Sequence, residues 1–199
     1  MKYNDLRSLM RTPLFSIHDI ELSTKKLFDY QLSLWVKKGY LIKLKNGSYA
    51  FSQDRDRIKG EWISFFLYQP SYISLEKALF HYGFIPEMVY AFTAVTTKTN
   101  RIFQNPLGHF IYRHIRPSLF WGYQPIVQED FQYLIAEPEK AVLDYLYLNL
   151  NRIKTQQDFD HLRWNYEGLR EILNPKKFQQ YTRAFNLKKM ERYAKKCLP

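Results

Sequence analysis

The sequence predicts an α+β chain in two parts. Residues 1–58 read as three short helices closed by a β-hairpin, and residues 59–199 as a larger mixed α/β domain with a small sheet and C-terminal helices. Three observations predict this. The helical patterning of the first part ends on alternating residues around Asn46-Gly47, the strongest short hairpin signal. A charged, apolar-free run, Asp54-Arg55-Asp56-Arg57, marks a boundary. Beyond it, β-branched and aromatic runs separated by prolines lie between apolar helical stretches.

The elements follow in order. Asn4–Met10 fits a first helix ended before Pro13, and Phe15–Ile20 a second short element offering Phe15, Ile17 and Ile20 to a core. Ser23 is a good N-cap for a third helix from Thr24 to about Lys38, where Gly39 can take the left-handed cap conformation. Leu27, Phe28, Leu32, Leu34, Trp35 and Val36 form its expected inward face. Tyr40–Leu44 and Ser48–Phe51 are the hairpin strands. Three helices and a hairpin with a basic tip are the layout of a winged helix-turn-helix, in which one helix enters the major groove and the wing touches adjacent backbone. The expected contacts to double-stranded DNA are Ser23, Thr24, Lys25, Lys26, Ser33 and Lys37 on the helix, with Lys43, Lys45 and Asn46 on the wing. The same fold also serves as a protein-interaction module.

In the second part, helices are expected at Trp62–Tyr68, from Ser74 to about Tyr82, and from Glu137-Pro138 through Leu150. Strands are expected at Tyr90–Thr97, Gly108–Ile115 and Phe131–Ala136. From about Gln157 the chain is helical in character, broken at Asn174-Pro175, and Lys176–Lys196 is basic and amphipathic. Its candidate partner-binding cations are Lys176, Lys177, Arg183, Lys188, Lys189 and Arg192, interleaved with Phe178, Tyr181, Phe185, Met190 and Tyr193. A solvated face, nucleic acid and an acidic partner all fit that mixture.

Charge distribution supports an acidic partner. The net charge is +11, but residues 1–58 carry +5, residues 174–199 carry +7, and the middle sits at −1. At 46% hydrophobic and 18% aromatic, the 199 residues exclude a wholly disordered chain. One cysteine, Cys197, excludes an internal disulfide. No apolar run approaches a bilayer span and the start is charged, so a cytoplasmic protein without membrane contact is expected.

Catalytic and metal-binding patterns are absent, and no cofactor is expected. His109 and His114, the only close histidine pair, fall on opposite faces of a strand. Glu137, Glu139, Lys140 and Asp144 are the one nuclease-like group. Acids opening a helix complement its dipole, and Lys140–Asp144 is an i,i+4 pair, so capping is preferred to catalysis.

Several segments together resemble the AbiEi-type antitoxins of type IV toxin–antitoxin and phage-defence systems. They are Leu34-Trp35-Val36-Lys37-Lys38-Gly39-Tyr40 leading into the hairpin, Pro70-Ser71-Tyr72-Ile73-Ser74-Leu75-Glu76-Lys77-Ala78-Leu79, Tyr82-Gly83-Phe84-Ile85-Pro86-Glu87, Phe103–Ile115 and Ile135-Ala136-Glu137-Pro138-Glu139-Lys140-Ala141. In matching order they span residues 15–145; the last fifty residues match no motif, and Asn46 replaces the Arg that usually flanks the wing glycine. The resemblance implies repression of the system's own promoter, at inverted repeats, by the winged helix. It also implies a non-enzymatic domain that counters a nucleotidyltransferase-like toxin. The alternative is a stand-alone transcription factor whose large domain senses a ligand or oligomerises.

Overall fold

The first unit is built on a three-stranded antiparallel sheet with one face for each of two cores. In the computed structural model, which describes residues 1–21, 27–128 and 131–197, α1 (Tyr3–Leu9) leads into β1 (Leu14–Ser16) and α2 (Ile17–Glu21). Then come α3 (Asp29–Lys37), β2 (Leu41–Lys45) and β3 (Ser48–Phe51), and the strands pair in the order β1-β3-β2. Phe15 opposes Tyr49 and Leu41 opposes Phe51, so these four share the face covered by Leu6, Ile20, Leu32 and Trp35 of the helices. Gly39 takes φ +73 and ends α3 as expected.

The opposite face is also buried. Leu14, Leu44 and Ala50 belong to the core of the large domain, with Ile42 packed against it. Asn105 Nδ2 donates to the Leu44 carbonyl (3.3 Å). The boundary run does not act as a loose connector: Asp54 is buried and its carboxylate meets Arg7 at 3.1 Å.

The large domain holds a six-stranded sheet ordered β6-β7-β5-β4-β9-β8. Its strands are β4 (Ser71–Ile73), β5 (Phe92–Thr96), β6 (Arg101–Asn105), β7 (Gly108–His114), β8 (Tyr123–Gln128) and β9 (Phe131–Ala136). The pairs β7–β5 and β4–β9 are parallel and the others antiparallel. Side chains alternate across it and tie down a layer on each side. Tyr112 donates to the Ser64 carbonyl of α4 (Gly60–Leu67), at 2.6 Å. Tyr72 faces the other way, toward α5 (Leu75–His81) and α6 (Pro138–Asn149). The first unit lies on the α4 side. Outside α6 come α7 (Gln156–Asp160), α8 (Tyr166–Ile172), α9 (Pro175–Ala184) and α10 (Lys188–Cys197). Asn186, at φ +50, breaks the expected continuous basic helix into α9 and α10; asparagine is among the few residues that tolerate that region. Burial pushes the Cys197 thiol up to about 12.

The chain is therefore mixed α+β, with ten α-helices and sheets of three and six strands among the described residues. No helix among them is long and apolar enough to cross a membrane. Because Leu44 bridges the two parts, Leu44→Ala should cost about 2–5 kcal/mol, the range for a buried leucine. Denaturant unfolding should remain a single transition. Two transitions, with only the first moved by the substitution, would show that the parts fold independently.

Candidate nucleic-acid interface

α3 seats itself through Leu32 and Trp35, one turn apart, with Val36 and Leu27 partly covered. It starts at Asp29, later than expected, with Phe28 as N-cap; Phe28 accordingly lies outside the helical stripe and is 54% exposed. Leu34, expected inward, is 43% exposed, since a stripe centred on Leu32 and Trp35 turns it outward. Tyr30 and Tyr40 are exposed beside it.

Of the expected DNA contacts, Ser33 and Lys37 on α3 and Lys43 and Asn46 on the hairpin are exposed. None of the four has a partner among the described residues. Lys43 opposes Tyr49, so it stands on the sheet face that carries α3. Ser23, Thr24, Lys25 and Lys26 lie outside the described residues.

Lys45 departs from expectation. Strict alternation would set it on the same face as Lys43, but a bulge between them adds Leu44 opposite Ser48. Lys45 is thereby turned toward the large domain, where its ammonium donates to the Leu67 carbonyl (2.5 Å) and lies 5.7 Å from the Phe103 ring centre. Partial burial, then Lys98 and Arg101 nearby, pull its pKa below the ordinary lysine value. It is a strut between the two units, not part of a free wing tip.

The C-terminal cations divide in two. Lys177 reaches Glu139 (3.2 Å) and Glu137 (3.3 Å), and Lys189 donates to the Leu150 carbonyl, so both bind within the chain. Lys176, Arg183, Lys188 and Arg192 are exposed with no partner among the described residues, as is Lys195, which sequence reasoning passed over. The interleaved apolar side chains turn inward: Phe178, Phe185, Met190 and Tyr193 are buried and Tyr181 is half-covered.

The four residues of the nuclease-like group are largely covered and engaged by partners within the chain. Glu137 accepts the Tyr181 hydroxyl (2.6 Å) and Glu139 the Asn174 backbone N–H (3.0 Å), so both acids hold α9 against α6. Both acids stand at the start of α6 as expected, Glu137 as the N-cap residue and Glu139 in the first turn, though the Glu137 side chain makes no capping hydrogen bond.

Lys140 and Asp144, the expected i,i+4 pair, have no exposure. They are ion-paired, and Asp144 also accepts the hydroxyls of Tyr72 and Ser74, each at 2.9 Å. Lys140 donates to the Tyr72 oxygen (2.9 Å) and sits within 5.1–5.4 Å of the Trp121, Phe185 and Tyr72 ring centres. Burial pushes the Asp144 pKa up and that of Lys140 down, each partly offset by its partner. Gly122, at φ +72, passes so close that a Cβ would meet the Lys140 stem at 3.2 Å. Glu137-Pro138-Glu139-Lys140 is visible in the sequence; Tyr72 and Ser74, which bond Lys140 and Asp144 from far upstream, have no local signal.

No protein-family model matches the chain, and comparison with curated proteins finds no match either. Among the described residues, no group of three or more His, Cys, Asp or Glu side chains could hold a metal ion.

Asp144→Ala leaves the Lys140 ammonium buried without its counter-charge and should cost about 3–5 kcal/mol in denaturant unfolding. Lys140→Met combined with Asp144→Leu should recover most of that loss. A double variant as unstable as the single one would show that the ion pair is not what the site depends on.

Proposed function

We propose that the chain is a DNA-binding antitoxin and transcriptional autorepressor of a type IV toxin–antitoxin system. Residues 1–58 then act as a winged helix-turn-helix on double-stranded promoter DNA. Residues 59–199 counter a nucleotidyltransferase-like toxin without catalysis of their own. The observation that carries the DNA-binding part is the placement of Ser33, Lys37, Lys43 and Asn46. They are exposed and without partners among the described residues: Ser33 and Lys37 on α3, Lys43 on the sheet face that carries α3, and Asn46 at the hairpin turn. Lysines there can neutralise phosphates, while Ser33 and Asn46 can read base edges. The β1-β3-β2 sheet after a first helix supports the same reading. The antitoxin role is supported by the motif resemblance across residues 15–145.

A second reading has one observation in its favour. Phe28, Tyr30, Leu34 and Tyr40 form an exposed apolar group on and beside α3, which suits a protein partner better than phosphate.

The test is titration of the whole protein onto its own promoter over a range of salt. Lys37→Ala and Lys43→Ala should each weaken specific and nonspecific binding and lower the salt slope by about one unit. Ser33→Ala should change sequence preference instead, and Lys45→Ala should lower stability without altering the slope. Unchanged slopes in the Lys37/Lys43 double variant, with self-association abolished by Leu34→Asp, would transfer the assignment to the protein-docking reading. Growth rescue from a nucleotidyltransferase encoded beside this gene tests the antitoxin role separately.

A further inference from the structure

α9 and α10 present the most uniformly charged surface outside the first unit. Lys188, Arg192 and Lys195 follow i, i+4, i+7 on α10, a stripe roughly 10 Å long on one helical face. Lys176 and Arg183 are likewise seven apart on α9. Arg183 and Lys195 line a common groove between the helices, of about 410 Å³, with Gln179 beside them and Phe178 and Ala194 at its base. The one acid in residues 174–199 is Glu191, also on this groove. The five cations have no partner among the described residues, although acids elsewhere in the chain capture Lys77, Lys140 and Lys177.

The chemistry of the surface narrows its partner. The described part of residues 174–197 exposes no large apolar side chain; its aromatics and Met190 are turned into the core or half-covered. A protein interface would want such an anchor, and lysine is depleted there. Single-stranded nucleic acid would want exposed rings on which bases stack. Duplex phosphates need only cations at intervals.

We propose that the α9–α10 face is a second duplex-binding surface, contacting the phosphate backbone without reading sequence. The first unit meets α4 through Lys45 and the Leu67 carbonyl, whereas α9 and α10 pack on α6 at the other side of the large sheet. The two surfaces therefore serve separate duplex segments. That this face binds duplex does not depend on the assignment of residues 1–58; simultaneous binding of two duplexes rests also on the DNA-binding reading of that unit.

The experiment uses the full-length protein, a mixed-sequence 20-base-pair duplex, the corresponding single strand, and polyglutamate as an acidic protein mimic. Lys188→Gln, Arg192→Gln and Lys195→Gln, all exposed, should leave the melting temperature unchanged. Together they should lower the duplex salt slope by two to three units, at about 0.9 for each phosphate no longer neutralised. The same decrement should appear in a Lys37→Ala/Lys43→Ala background, so failure of the first unit as a DNA binder would leave this result intact. The parent protein should bind two differently labelled duplexes at once, and the triple variant one. An unchanged slope together with loss of polyglutamate binding would overturn the proposal in favour of an acidic protein partner. A slope change seen with the single strand alone would overturn its duplex assignment.

Discussion

The Lys140–Asp144 pair is the constraint around which the large domain is arranged. Four residues apart on α6, the two charges are fully enclosed, and Tyr72 and Ser74, at β4 and the turn after it, supply further hydrogen bonds. An apolar pair of similar volume would hold α6 at least as firmly, because desolvating two ions costs several kcal/mol each. What an apolar pair would not supply is a single seat. Sliding α6 by one residue along β4 would strand a buried ammonium and a buried carboxylate together, a far steeper penalty than a misplaced leucine.

The same few residues extend this control outward. Trp121 and Phe185 close over Lys140, which brings the loop before β8 and the end of α9 to the ion pair. One turn upstream, Glu137 and Glu139 take up Tyr181, Lys177 and the start of α9. Helix α9, and α10 packed against it, thus inherit their orientation from a charge pair in the interior. Lys177 and Lys189 are consumed in making that orientation, and the cations left facing water are those the fold could spare.

Much of this is legible in the sequence, and the gaps have physical causes. Strands β5, β7 and β9 and helices α4, α5 and α6 lie where periodicity and prolines put them, because each is long enough to carry a repeat. β1 and β4, three residues each, are too short to show alternation. β6, partly exposed, and β8, with Pro125 in it, are edge strands and lack the apolar signature of inner ones. The inward face of α3 differs from expectation at Phe28 and Leu34, since the start of a helix sets the phase of its stripe. Lys45 differs because a bulge is a property of two paired strands. The charges of Glu137, Glu139, Lys140 and Asp144 stand out in the sequence, but their burial depends on donors supplied from Tyr72, Ser74, Asn174 and Tyr181, which no local pattern links to them.

The small sheet is packed on both of its main faces: Phe15, Tyr49 and Phe51 serve one core while Leu14, Leu44 and Ala50 serve the other. This limits how such a protein can diversify. A gene junction at residue 58 would look like a clean place to exchange one recognition unit for another. A newcomer would nevertheless have to bring apolar residues at those three positions, a bulge before its turn, and a cation able to reach the Leu67 carbonyl. New specificity is therefore more accessible by point substitution on the outer faces of α3 and the hairpin, which leave that seam untouched, than by recombination of whole units.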